Sequence, residues 1–385
     1  MKSRRRRLFV SAVLLVSAIL LLWLAIAQHL LQPPVAASPV PAGRFQSAID
    51  AGRVAIESLV QSPKGPPGLG VAVLVDGRIV WSEGFGFADL EQRVPVWPHT
   101  RMRIGSVSKP LTSAALGLLY EQGKLDLNAP VQQYVPSFPK KKQPVTTRQL
   151  AGHLSGIRHY DGHEDAEMFN TRHFETVLDG LSLFADDPLL YPPGERYHYS
   201  SHGWNLLSAV VEGASGQQYL TYMQQQVFDP LGMRHTIADL NAQIVPNRAR
   251  FYARDGEGRW NNAQYVDNSY KWAGGGFLST PEDLVRFGWA IVDGQLLRPE
   301  TIRLFTTSQR TNDGKETGYG MGWSVSTDAR GRRQIGHSGG SVGGAARLTI
   351  FPQQRVVVAM NVNTDGIPDA VQFVQQVAEG FMVEQ

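Results

Sequence analysis

The sequence predicts an α/β fold of the α+β type: one antiparallel sheet flanked by helices, plus a mainly helical lobe, preceded by one N-terminal transmembrane helix. Three observations predict it. Short apolar runs that read as strands cluster before residue 105 and after residue 318. Between about 106 and 315, helical periodicity dominates, broken by loops rich in Gly, Pro and Asp. Leu8 to Ala27 is an apolar run broken only by Ser11 and Ser17, about 30 Å long at about 1.5 Å per residue.

The chain divides accordingly. Residues 1–7 are a basic n-region, residues 8–31 a transmembrane signal-anchor, and residues 32–43 a Pro/Ala linker carrying Pro33, Pro34, Pro39 and Pro41. Residues 44–385 form the globular body, with a sheet region (44–105 and 318–385) and a helical lobe (106–317). The small-residue sites Ala25-Ile26-Ala27 and Val35-Ala36-Ala37 leave cleavage open. The expected location is the cell inner membrane with the body facing the periplasm, or export if the segment is cleaved.

Within the body, Phe45, Ala48, Ile49, Ile56, Leu59 and Val60 mark the inner side of an amphipathic helix ending before Pro63. Leu69–Val75, Asp76-Gly77 and Arg78–Gly84 read as a hairpin, and Phe85 to Pro98 as a loop. Ser200 or Ser201 can cap a helix whose inner face carries Trp204, Leu207, Ser208 and Val211; Thr280-Pro281 opens another, with acidic residues in its first turn. Strands are expected at Met321–Ser326, Arg332–Gly336, Ala345–Phe351 and Arg355–Asn361, and a closing helix at Ile367–Met382. Joining the strands of both ends gives the sheet, and the cleft between sheet and lobe is the place for a site.

Composition narrows the function. Apolar residues make up 42% and charged residues 18%, as in globular proteins. Lys2 and Arg4 to Arg7 account for five of the 37 Lys+Arg, leaving 32 against 34 Asp+Glu, so the body carries no nucleic-acid footprint. With no cysteine, disulfides, a thiol nucleophile and thiolate metal sites are excluded. His153, His159 and His163 with Asp161 and Asp165 match no zincin spacing. No metal or cofactor is expected.

The chemistry centres on Ser106-Val107-Ser108-Lys109. Behind it, Leu111, Ala114, Ala115, Leu118 and Leu119 form one helix face, closed by Gly123. Ser106 is thereby expected in the first helical turn with Lys109 one turn on, where an amine can activate a hydroxyl and the helix N-terminus favours an oxyanion. A second Ser-x-x-Lys, Ser137 to Lys140, contains Pro139 and reads as a solvated loop. Gly336-His337-Ser338-Gly339-Gly340 fits G-x-S-x-G, but a glycine-rich turn and a strand follow it. His337 is also the last histidine, so no downstream His completes a triad.

Ser106-Val107-Ser108-Lys109, Tyr199-Ser200-Ser201 and His337-Ser338-Gly339, in this order and spacing, resemble the motifs of the class C β-lactamase-like and penicillin-binding-protein-like serine hydrolases. The resemblance covers about residues 44–382 and implies the β-lactamase/transpeptidase-like fold. Ile104–Pro110, Lys124–Leu127, Tyr134–Pro136 and His153–Tyr160 are similar to the mitochondrial serine β-lactamase-like branch.

The resemblance implies roles. Ser106 attacks a carbonyl to give an acyl-enzyme, and Lys109, with a lowered pKa, takes its proton. Tyr199, ahead of Tyr197, shares the relay, its phenolate favoured by Lys109. The backbone N–H groups of Ser106 and Gly340 form the oxyanion hole. Ser201, His337, Ser338 and Gly339 bind substrate. Two departures matter: His337 replaces the Lys of β-lactamases, and Ser201 stands where many members carry Asn. A neutral imidazole is a weak anchor for a substrate carboxylate, which favours peptide or small-amide hydrolysis over antibiotic degradation. The alternatives are a carboxylesterase or a β-lactamase/D,D-carboxypeptidase and, in another class, a non-catalytic filament-forming or binding protein on this fold. Expected partners are a small peptide, amide or ester and the membrane; self-association is compatible with the resemblance.

Overall fold

Asp76 and Gly77 both hold positive φ, 49° and 79°, and close a tight hairpin between strands β2 (Gly68–Val75) and β3 (Arg78–Asp89). In this computed structural model, which describes residues 35–37, 43–160, 167–366 and 370–382 with positions 17 and 23, the hairpin is one half of the main sheet. The other half comes from the far end of the chain: β4 (Ser324–Thr327), β5 (Arg333–Ser341), β6 (Gly344–Phe351) and β7 (Val356–Val362). With β1 (Val35–Ala37), the order is β1-β3-β2-β7-β6-β5-β4, and Val94–Pro95 adds an eighth strand on β3. The halves join at β2 and β7, antiparallel from Val75 opposite Val356 to Leu69 opposite Val362.

Strand period sorts the core into two layers. Leu69, Val71, Val73 and Val75 face helices α1 (Gln46–Gln61) and α5 (Ala370–Glu379), with Phe45, Ile56, Val374 and Phe381. Ala72 and Leu74 face the opposite layer, which holds α2 (Ser108–Glu121), α3 (Ser201–Ser215) and α4 (Pro281–Asp293). β2 is buried on both faces, which is why it reads as a continuous apolar run. Capping follows the side chains: Ser200 Oγ accepts from Gly203 N–H at 3.0 Å and Thr280 Oγ1 from Asp283 N–H at 3.3 Å.

Several boundaries differ from expectation. β3 continues to Asp89 instead of becoming a loop at Phe85. Its glycines mark close backbone approach: a Cβ at Gly84 would lie 2.1 Å from Val96 O. β5 likewise runs on to Ser341, past the expected end at Gly336; a Cβ at Gly336 would lie 2.1 Å from Leu348 O. β4 begins only at Ser324.

The expected n-region and signal-anchor, residues 1–31, fall outside the described residues except for positions 17 and 23. Among the described residues no helix is long and apolar enough to cross a membrane.

Candidate active site

Ser106 lies in a single tight turn, Gly105–Val107, that leads into α2. It therefore sits just before the helix rather than inside its first turn, and Lys109 occupies that turn. Ser108 Oγ donates to Gly105 O at 2.8 Å and ties the turn to the helix. The Lys109 amine is completely buried and lies 3.0 Å from Ser106 Oγ, 3.3 Å from Ser201 Oγ and 2.7 Å from the Gly274 carbonyl. Burial drives its pKa well below the ordinary lysine value, and the nearby positive charge of Lys271 pushes it further down. Both effects favour the neutral amine. It donates to Gly274 O and keeps a lone pair for the Ser106 hydroxyl.

Tyr199 approaches from the opposite side, its hydroxyl donating to Ser106 Oγ at 2.8 Å. Burial raises the Tyr199 pKa above its usual value. This corrects the expectation of a phenolate: a desolvated phenol beside an uncharged amine has no cation to stabilise its anion, so Tyr199 stays protonated. Tyr197 is 38% exposed and makes ring contacts with His153 at 5.8 Å and Tyr319 at 6.0 Å, with none to Ser106. Ser201 Oγ bridges Lys109 and Tyr199.

Two histidines hold the Tyr199–Ser201 segment. His153 Nδ1 accepts from Ser200 N–H and His159 Nδ1 from Ser201 N–H, each at 3.1 Å. An accepting Nδ1 requires a neutral ring. Burial lowers both pKa values, His159 to about 3. The His153 ring also packs 4.3 Å from Tyr199 and 4.6 Å from Tyr319. Asp161, His163 and Asp165 lie outside the described residues.

β5 runs directly along the Ser106 turn. A Cβ at Gly339 would lie 1.9 Å from Ile104 O and 2.9 Å from Ser106 N; one at Gly105, where φ is +48°, would lie 2.7 Å from Gly340 N. Only glycine permits this approach, and it sets the amides of Ser106 and Gly340 beside each other. Ser338 is exposed, on the opposite strand face from Gly339. His337 is buried and accounted for: Tyr319 O–H donates to Nε2 at 2.8 Å, and Nδ1–H donates to the Ser338 carbonyl at 2.5 Å. Its pKa is pushed down to about 3, chiefly by burial. Neither nitrogen is left for a substrate, so His337 supports the tyrosine layer beneath Ser106 rather than reaching substrate.

Ser106, Tyr199, Ser201 and Gly340 open onto one cavity of about 590 Å³, with Tyr160, Met168 and Phe169 on its apolar side. Ser137 and Lys140 are exposed in a turn outside it. The cavity also exposes a residue that no motif marks, Lys271, which stands in a short turn just before Gly274. The sequence signal was only a lysine between Tyr270 and Trp272, and its burial depends entirely on packing.

Comparison with known proteins agrees with this arrangement. The Beta-lactamase family model matches residues 56–378. The chain is 36% identical to the mitochondrial serine beta-lactamase-like protein LACTB of Bos taurus, over 84% of this chain and 75% of that one. It is 26% identical to penicillin-binding protein 4* of Bacillus subtilis (strain 168), over 80% and 71%. The octameric penicillin-binding protein homologue of Pyrococcus abyssi superposes with a TM-score of 0.70 at 27% identity, covering 86% of this chain and 75% of that one. With Ser106, Tyr199, Ser201 and Gly340 brought to one cavity and a family model spanning nearly the whole body, the chain belongs to the beta-lactamase-like family of serine hydrolases.

Proposed function

We propose that the protein forms an acyl-enzyme through Ser106 and hydrolyses peptides or small amides. The observation that carries this reading is the convergence on one oxygen: Ser106 Oγ lies 3.0 Å from a neutral Lys109 amine and 2.8 Å from the Tyr199 phenol, facing the cavity. Lys109 Nζ takes the Ser106 proton as Oγ attacks the carbonyl carbon. The Ser106 and Gly340 N–H groups receive the developing oxyanion. Tyr199 then gives its proton to the leaving nitrogen as the C–N bond breaks, and recovers one from the Lys109 ammonium through Ser201 Oγ. The burial of His337 removes the cation that a β-lactam carboxylate would need at that position and supports amide or ester substrates over cephalosporins.

A fluorophosphonate probe tests the reading: it should label the wild type and leave Ser106→Ala unlabelled. Absence of wild-type labelling, or equal labelling of the variant, would refute it. Profiling against peptides, p-nitrophenyl esters and a chromogenic cephalosporin then separates peptidase, esterase and lactamase. The basic n-region and the apolar run from Leu8 to Ala27 support a body held outside the cytoplasm by an N-terminal anchor. Mass measurement of the mature N-terminus tests that, with Met1 expected and a start near residue 28 counting against it.

A further inference from the structure

Lys271 is a buried lysine whose amine meets the Tyr270 ring, 5.3 Å from its centroid, but no carboxylate of its own. It is only 6% exposed, yet it forms part of the wall of the cavity that holds Ser106. Among the described residues its amine has no ion-pair or hydrogen-bond partner. The carboxylate nearest in effect, Asp239, is already engaged: Arg103 Nε donates to it at 2.7 Å, Asn268 Nδ2 at 2.9 Å, and Arg248 Nη1 lies at 3.5 Å. The carboxylate that lines the cavity itself, Asp365, is exposed at the rim and accepts from Gly343 N–H. Burying an ammonium without a counter-charge is costly, and an anion bound beside it in the cavity would offset that cost. Lys271 lines the same cavity as Ser106, and its charge is felt at the Lys109 amine, which lies 3.0 Å from Ser106 Oγ. An anion held there therefore sits within reach of the reacting centre. The imidazole that the third motif offers, His337, has both nitrogens satisfied inside the protein.

We infer that Lys271 is the anchor for a carboxylate on the substrate, so that the site selects anionic amides or esters over neutral ones of the same shape. This rests on the Ser106 hydrolase reading for the reaction but not for the binding. The carboxylate can lie on the acyl side or on the leaving group, and matched substrates separate these.

The full-length protein is assayed with p-nitrophenyl glutarate monoester against p-nitrophenyl 4-carbamoylbutyrate, and with 3-carboxy-4-nitrophenyl acetate against p-nitrophenyl acetate. In one pair the kcat/KM ratio of charged to neutral substrate should exceed about tenfold, fall by about tenfold or more in Lys271→Gln, and survive in Lys271→Arg. Ratios near one in both pairs, or a preference that persists in Lys271→Gln, would overturn the inference. If the wild type turns over none of these, the hydrolase reading fails separately. The anchor is then judged by titrating the Ser106→Ala protein with glutaramate and with glutaramide. Tighter glutaramate binding that Lys271→Gln abolishes upholds it, and equal binding overturns it.

Discussion

The Tyr199 hydroxyl donates to Ser106 Oγ across 2.8 Å, although the two residues are 93 positions apart in the chain. The bond fixes the direction of the Ser106 hydrogen, which is left to point at Lys109. Tyr199→Phe keeps the ring and its packing on His153 but deletes this donor. The expected outcome is a loss of about 10²- to 10⁴-fold in kcat with little change in melting temperature, read by steady-state kinetics and thermal denaturation. An unaltered kcat would exclude Tyr199 from proton transfer.

Lys109 works as a base only when uncharged. Its pKa is held down by burial and by Lys271, so activity should persist well below the ordinary lysine pKa and decline at acid pH as the amine protonates. Removing the Lys271 charge removes a repulsion, which raises the Lys109 pKa. The acid limb of kcat/KM should therefore move to higher pH in Lys271→Gln, with a neutral ester as substrate. Lys109→Arg, which cannot deprotonate, should lose activity by roughly 10³-fold or more. A pH profile that does not respond to Lys271→Gln would contradict the coupling.

Gly339→Ala tests the contact between β5 and the nucleophile turn. Its Cβ would lie 1.9 Å from the Ile104 carbonyl, against backbone that cannot rotate away. A loss of about 1–3 kcal/mol in unfolding free energy is expected, with slower fluorophosphonate labelling because Ser106 N and Gly340 N are driven apart. Chemical denaturation and labelling rates on the same protein would show whether both move together.

Acid should destabilise the fold through its buried imidazoles. His159 and His337 each have a folded pKa pushed down to about 3, against an unfolded value near 6.5. Between those limits the unfolded chain binds more protons than the folded one, so stability rises with pH across the window. Their contribution is complete above about pH 6.5 and is lost as the pH falls toward 3. Melting temperatures from pH 7 to pH 4 should drop less steeply for His337→Gln than for the wild type. Parallel slopes would rule out His337 as a contributor.

Much of the molecule is legible in local chemistry. Asp76-Gly77 can hold positive φ at both turn positions, so the hairpin is written in two letters. Ser200, Thr280 and Pro281 announce helix starts because capping is decided within three residues. Glycine misleads where it serves proximity instead of a strand end: Gly86 and Gly339 carry their strands onward because backbone from other segments presses on them. No neighbour in the sequence signals that pressure.

The amino-acid sequence by itself determined the elements, the pairing of both chain ends into one sheet, and the serine, lysine and tyrosine available for chemistry. Those follow from periodicity, capping and motif order, which act over a few residues at a time. The protonation states belong to the tertiary structure. Lys109 is driven toward its neutral form, Tyr199 toward the phenol and His337 toward the neutral ring because distant segments exclude water from them. Lys271 is the sharpest instance. It is an ordinary lysine in the chain and a buried cation on the cavity wall in the fold, because desolvation is a property of the whole packed molecule.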